Sequence, residues 1–261
     1  MNEEFQIRLD IVECGRRMYA RNYVASNDGN ISVRVGDRII ATPTGISKGF
    51  MRAEDMVVLD IQGRVIEGAR KPSTEIKMHL AIYEERKDVN SVVHAHPVHA
   101  TGFATAQIEL KDCVLAEIVT TLGSIPLAPY ATPSTTELPD SIRPIIRRAD
   151  ACLLANHGVV TCGRDVYDAY YKLERVEHYA RILFVAKSLG GAKILSPQQV
   201  HKLETIRATY GTSDAHNPGC IACHGACIGS DCTLYETQQR DQSASDLHVE
   251  ETVRAIISAK K

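Results

Sequence analysis

Three histidines in this 261-residue chain have the spacing of a metal site. His94 and His96 stand two residues apart in His94-Ala95-His96, and His157 lies in Asn156-His157-Gly158. On an extended segment, side chains at i and i+2 project to the same side. Two imidazoles from such a segment and a third from a later loop would surround one cation with three nitrogens. Three protein ligands and an open position is the pattern of a catalytic zinc site. A metal there acts as a Lewis acid on a substrate carbonyl or hydroxyl. Ordinary surface or core histidines would show the same residue types, and His99, three residues past His96, is expected to face elsewhere.

Two further groups could take an anion. In Pro72-Ser73-Thr74-Glu75, adjacent hydroxyls just before a helix join the helix's free N–H groups. Glu75, in the first turn, could reach a metal or act as a general base. The competing reading is capping, with Ser73 or Thr74 as N-cap and Glu75 favourable to the helix dipole. Ala41-Thr42-Pro43-Thr44-Gly45 and Asp28-Gly29-Asn30 offer Gly and Thr in tight turns, whose N–H and hydroxyl donors suit a phosphate. Ordinary turn chemistry accounts for these fragments equally well.

The elements that would position these residues follow from periodicity. The spacing predicts an amphipathic helix over 4–22, with Phe5, Leu9, Val12 and Met18 among its apolar positions. Strands 31–35 and 38–41 flank a Gly36-Asp37 turn, and strands 57–60 and 64–66 flank Gln62-Gly63. A helix is expected over 74–86, and a short buried strand over 91–93 runs into His94. Strands 151–155 and 159–160 bracket Asn156-His157-Gly158. A long helix over 165–189 carries Val166, Tyr170, Leu173, Val176, Ala180 and Phe184 on one face. Ser196 as N-cap with Pro197 after it starts a last core helix, to about Ala208. Hairpins in place of regular βαβ units imply an α/β fold around a mainly antiparallel sheet.

Composition is that of a soluble globular chain, 44% hydrophobic and 24% charged. A net charge of -2 gives no basic excess for nucleic acid. No apolar run approaches the roughly 20 residues that span a bilayer. Met1–Asp10 lacks the apolar region of a secretory signal, so the expected location is cytoplasmic. Cys14, Cys113, Cys152 and Cys162 are scattered, as small buried hydrophobes are. Residues 212–245 are polar, Gly-rich and Cys-rich and read as a flexible linker between a 1–211 domain and a 246–261 amphipathic helix. Cys220, Cys223, Cys227 and Cys232 could hold a second zinc or an iron–sulfur cluster, or form a redox-labile free cluster. The 246–261 helix, with Val249, Val253, Ile256 and Ile257 on one side, is short enough to want a partner surface.

Taken in order, Gly29-Asn30-Ile31-Ser32, Thr42-Pro43-Thr44-Gly45, Pro72-Ser73-Thr74-Glu75, His94-Ala95-His96-Pro97, Ala128-Pro129-Tyr130-Ala131-Thr132 and Asn156-His157-Gly158 resemble the class II aldolase/adducin family, in particular its fuculose-phosphate aldolases. The resemblance covers about residues 5–211. It implies a three-layer α/β/α fold and a homotetramer with active sites between subunits. The implied reaction is zinc-dependent retro-aldol cleavage of a ketose 1-phosphate, L-fuculose-1-phosphate or L-rhamnulose-1-phosphate, to dihydroxyacetone phosphate and L-lactaldehyde. It makes His94, His96 and His157 the ligands of one zinc per subunit and Glu75 both ligand and acid/base. Gly29, Asn30, Thr44, Gly45, Ser73 and Thr74 become the phosphate pocket. Glu117 stands near the family's catalytic tyrosine, as a second acid or as a solubilising helix residue, and Tyr210 matches its second tyrosine. Pentulose-phosphate 4-epimerases share this metal set but carry Asp where Glu75 stands, a sugar-acid-phosphate decarboxylase would need the same enediolate, and adducin-like scaffolds lack the histidines. The 246–261 segment resembles an encapsulation peptide, implying a shell-protein partner and a bacterial microcompartment lumen.

Overall fold

The computed structural model describes residues 3–207. Tyr210, Cys220, Cys223, Cys227, Cys232 and the 246–261 segment lie outside the described residues. The chain begins with α1 (Glu3–Ala20), then β1 (Asn30–Val35), β2 (Arg38–Ala41), β3 (Val57–Asp60) and β4 (Val65–Glu67). Next come α2 (Ile76–Glu85), β5 (Ser91–Ala95), α3 (Val98–Thr105), α4 (Ala116–Thr121) and β6 (Leu127–Ala128). The remaining elements are α5 (Glu137–Ile146), β7 (Ala151–Leu154), β8 (Gly158–Gly163), α6 (Val166–Ser188) and α7 (Pro197–Ile206).

The strands form one eight-stranded sheet in the order β4-β3-β2-β1-β5-β8-β7-β6. Every neighbouring pair is antiparallel except β6 with β7. The expected hairpins form where glycine takes a left-handed backbone, at Gly36 (φ 59) and Gly63 (φ 81). Strand alternation divides the core in two. Ile31, Val33, Ile40, Val93 and Val159 pack with α1, α3 and α6 on one face. Ile39, Leu59, Val92, Cys152 and Val160 pack with α2 and α5 on the other. The result is the three-layer α/β/α architecture expected from the sequence. Among the described residues no helix is long and apolar enough to cross a membrane.

Three expectations need correction. In α1 the buried seam is Ile11, Cys14, Gly15 and Met18, while Phe5 and Leu9 are exposed. In α6, Leu183 is buried and Phe184 is exposed, because the helix turns its Ala169-Leu173-Val176-Ala180-Leu183 stripe onto the sheet. The helix expected from residue 74 starts at Ile76, and neither Ser73 nor Thr74 is its N-cap. Asp165 and Ser196 do cap α6 and α7, accepting from the N–H of Asp168 and Gln199. Leu183 is 0% exposed in the α6 stripe. Leu183→Ala should therefore cost about 2–5 kcal/mol in urea unfolding; a loss below about 1 kcal/mol would contradict this packing.

Candidate active site

The three central strands meet at the site. β1 opens on Asn30, β5 closes on His94-Ala95, and β8 opens just past His157. The register pairs Asn30 with His94 and His94 with Val160, which fixes side chains from separated segments side by side. The turn into β8 is tight, with Asn156 in the left-handed region (φ 54). Gly158 must be glycine for a different reason: a Cβ there would stand 2.6 Å from both Ala95 O and His96 Cδ2. That close approach lets His157 reach His94 and His96. Their ring centroids lie 4.7–5.2 Å apart, and one nitrogen of each falls within 4.8 Å of the others.

Glu75 closes the group. Its Oε1 is 3.1 Å from His157 Nε2 and its Oε2 is 3.4 Å from His94 Nε2. The Ser73 hydroxyl accepts from the Glu75 N–H, forming a turn ahead of α2. The carboxylate therefore points to the histidines instead of capping the helix. Burial works to raise the Glu75 pKa, but the His94 and His157 imidazoles and the Asn30 amide outweigh it and hold the carboxyl well below the usual range. Burial, against the opposing pull of the Glu75 carboxylate, brings the His94 pKa down to about 3. Its Nδ1 donates to Val159 O at 2.8 Å, so Nε2 carries the lone pair. That lone pair faces His96 Nε2 at 3.1 Å and the Glu75 carboxylate at 3.4 Å. Acceptors this close repel unless a proton or cation lies among them. Three imidazole nitrogens with a carboxylate are donors that suit zinc. Asp28 lies 3.6 Å from His96 Nδ1, on the side of the ring away from His94.

Beside the histidines is a cavity of about 220 Å³. Gly29, Asn30, Thr44, Ser73 and Thr74 line it, together with Glu75, His96 and His157. Its two loops are stitched together: Ser73 N–H donates to Thr42 O, and Thr44 N–H to Lys71 O. Gly29 (φ +73) also approaches closely, since a Cβ would lie 2.9 Å from His94 O. Gly45 (φ +76) sits in the turn after Thr44 but is not part of the lining, a departure from its expected place. Sequence reasoning missed Lys48, which also lines the cavity. It is 2% exposed, and its ammonium donates to Asn27 O and Ile46 O at 2.9 and 2.7 Å. Burial, opposed by Asp28 and Glu75, lowers its pKa to about 8. It shares the lining with the Asp28 and Glu75 carboxylates. Nothing in Ser47-Lys48-Gly49 distinguishes it from a surface lysine in sequence.

Glu117 is not brought to this cavity. It lies in the first turn of α4 and lines a separate hollow of about 990 Å³ with Arg21, Tyr23, His99 and Glu174. His99 faces elsewhere, as expected: its Nδ1 is 2.7 Å from Glu177, whose carboxylate also accepts from the first N–H groups of α3.

Residues 9–184 match the family described as Class II Aldolase and Adducin N-terminal domain. The chain belongs to this family. It is a class II aldolase-type enzyme, a lyase. The chain is 36% identical over 180 residues to a Methanococcus maripaludis L-fuculose phosphate aldolase, spanning 69% of this chain and 97% of the relative. It is 33% identical over 201 residues to a Haemophilus influenzae 3-oxo-tetronate 4-phosphate decarboxylase, spanning 74% and 94%. A solved L-fuculose 1-phosphate aldolase superposes with a TM-score of 0.72 at 30% identity, covering 77% of this chain and 95% of the other.

The contact at Gly158 gives a test of the histidine cluster. Gly158→Ala should push the His96 ring aside and weaken zinc affinity about 10–100-fold, the usual scale for disturbed ligand support. Wild-type affinity in a competitive chelator titration would contradict the geometry.

Proposed function

We propose that this enzyme catalyses zinc-dependent retro-aldol cleavage of a ketose 1-phosphate, with L-fuculose-1-phosphate as the first candidate and L-rhamnulose-1-phosphate as the second. The products would be dihydroxyacetone phosphate and L-lactaldehyde. The observation that carries this reading is the junction of a three-histidine, one-carboxylate cluster with a cavity lined by Asn30, Thr44, Ser73, Thr74 and the buried Lys48.

His94, His96 and His157 would hold the zinc, with Glu75 as a further ligand when no substrate is present. Zinc held there supplies Lewis-acid stabilisation of the negative charge that develops on the substrate's oxygens when the C–C bond breaks. The chain's own groups do the rest. Asn30, Thr44, Ser73 and Thr74, with Gly29 and Gly45 shaping the turns, bind the phosphate and contribute binding energy remote from the reacting bond. In cleavage, the C4 hydroxyl gives up its proton, the C3–C4 bond breaks, and C4 leaves as the aldehyde. We assign both transfers to Glu75, which accepts the C4 hydroxyl proton as the C3–C4 bond breaks and returns that proton to C3. Ionised and buried beside the cavity, Glu75 is suited to receive and return it. Glu117 lies away from this chain's own cavity. We read it as the second acid of a neighbouring subunit's site in a homotetramer, with Tyr210 as a further catalytic residue inferred from sequence alone.

The decarboxylase relative supports a second reading. Loss of carbon dioxide from a 3-oxo sugar-acid phosphate leaves negative charge on the same atoms, so the same residues would serve. For the chain beyond residue 207 we infer from sequence alone a second metal at Cys220, Cys223, Cys227 and Cys232, and a shell-binding helix over 246–261 that directs the enzyme to a microcompartment lumen.

Glu75→Gln keeps all three histidines and the side-chain shape. It should lower turnover of L-fuculose-1-phosphate about 10²–10⁴-fold with zinc content unchanged. Unchanged turnover would remove Glu75 from the reaction. Carbon dioxide release from 3-oxo-tetronate 4-phosphate, with no cleavage of either ketose 1-phosphate, would select the second reading.

A further inference from the structure

Behind Glu75 runs a buried chain of hydrogen bonds that the reaction as described does not use. Asn30 Nδ2 lies 2.8 Å from Glu75 Oε2. Asn30 Oδ1 lies 2.5 Å from His79 Nε2. His79 Nδ1 lies 2.7 Å from Ser32 Oγ, and Ser32 Oγ lies 2.7 Å from the Tyr83 hydroxyl. Ser32 and His79 are 0% and 1% exposed, and Tyr83 is 4% exposed. The four residues come from only two elements, with Asn30 and Ser32 alternating on β1 and His79 and Tyr83 one turn apart on α2.

The carboxylate dictates the direction of every bond. An ionised carboxylate only accepts, so the Asn30 NH₂ must face Glu75 and its carbonyl must face His79. His79 must then donate from Nε2. The ring is fully buried, and burial pulls its pKa down to about 4, so it is neutral and carries a single proton. Nδ1 is therefore an acceptor to which the Ser32 hydroxyl donates, and Ser32 in turn accepts from the Tyr83 hydroxyl. A reversal at any point would leave two donors or two acceptors facing each other in the interior, each costing about 1–3 kcal/mol.

Resting on the function proposed above, we propose that His79 is a positioning residue: backed by Ser32 and Tyr83, it locks the Asn30 amide in the one orientation that holds Glu75 while leaving the second Asn30 N–H for the phosphate. Asn30 lines the same cavity as Glu75, Thr44 and Ser73, so its orientation bears on both halves of the site. Turning the amide over would aim its carbonyl at the carboxylate. His79 opposes that turn, because its Nε2–H has no other partner than the Asn30 carbonyl among the described residues.

The test compares His79→Phe, which keeps the ring's bulk and loses both nitrogens, with His79→Gln, which retains a donor and an acceptor. His79→Phe should weaken inorganic phosphate binding by calorimetry and lower kcat/KM for L-fuculose-1-phosphate, each about 10–100-fold, the scale found for groups that orient a site. His79→Gln should recover most of both. Because His79 acts through Asn30, His79→Phe should cost less than about threefold more in an Asn30→Ala background. Costs that multiply in full, or a His79→Phe variant that binds phosphate and turns over as wild type does, would overturn the proposal. Histidine side-chain ¹⁵N shifts of the wild-type protein test it without any variant: His79 should be neutral and protonated on Nε2, and an Nδ1–H ring would overturn the relay. A wild type that binds no phosphate and cleaves neither ketose would instead sink the functional reading, and the relay's role with it.

Discussion

A carboxylate buried among imidazole nitrogens is the constraint around which this site is organised. Glu75 sits 3.1 Å from one ring nitrogen and 3.4 Å from another, with little water to screen it. Taking such a charge out of water costs several kcal/mol unless donors or a cation surround it. The structure meets that demand from two sides. Asn30 donates from behind, itself held by His79. In front, the lone pairs of the histidines converge where a zinc ion would satisfy them and the carboxylate together.

The sheet makes this convergence possible. Antiparallel pairing of β1 with β5 and of β5 with β8 brings residues about sixty positions apart into one row, and the row ends where the loops begin. Glycine appears where that row is tightest. Gly29 and Gly158 each run so near the β5 backbone that a Cβ would collide with it. The far side of the cavity is then built by stitching the 42–44 and 71–73 loops to each other. The cavity and the histidine cluster therefore share one platform, and Asn30, at the start of β1, touches both.

Much of this was legible in the sequence because short motifs encode it. His94-Ala95-His96 announces two rings on one side of a strand, and the Gly36-Asp37 and Gln62-Gly63 turns announce hairpins. What stayed hidden was of two kinds. His79 and Lys48 gain their roles only from distant neighbours: His79 looks like one more residue of a helix, and Lys48 like a surface lysine beside glycine. Other elements lack a pattern to read. α3, Val98–Thr105, is small and mixed, β6 has only two residues, and α5 holds Pro144 inside the helix. On α1 Phe5 and Leu9 are apolar yet exposed, and on α6 only Phe184 is, while the other expected α6 positions, Val166, Tyr170, Leu173, Val176 and Ala180, are buried. Apolar periodicity finds a helix more securely than it finds which residues border the core.

The most direct measurement of the central claim is dihydroxyacetone phosphate release from L-fuculose-1-phosphate by the full chain, before and after zinc is stripped by a chelator and then restored. The account predicts release that is lost on stripping and returns with zinc. Release that persists undiminished in the verified zinc-free protein would contradict it.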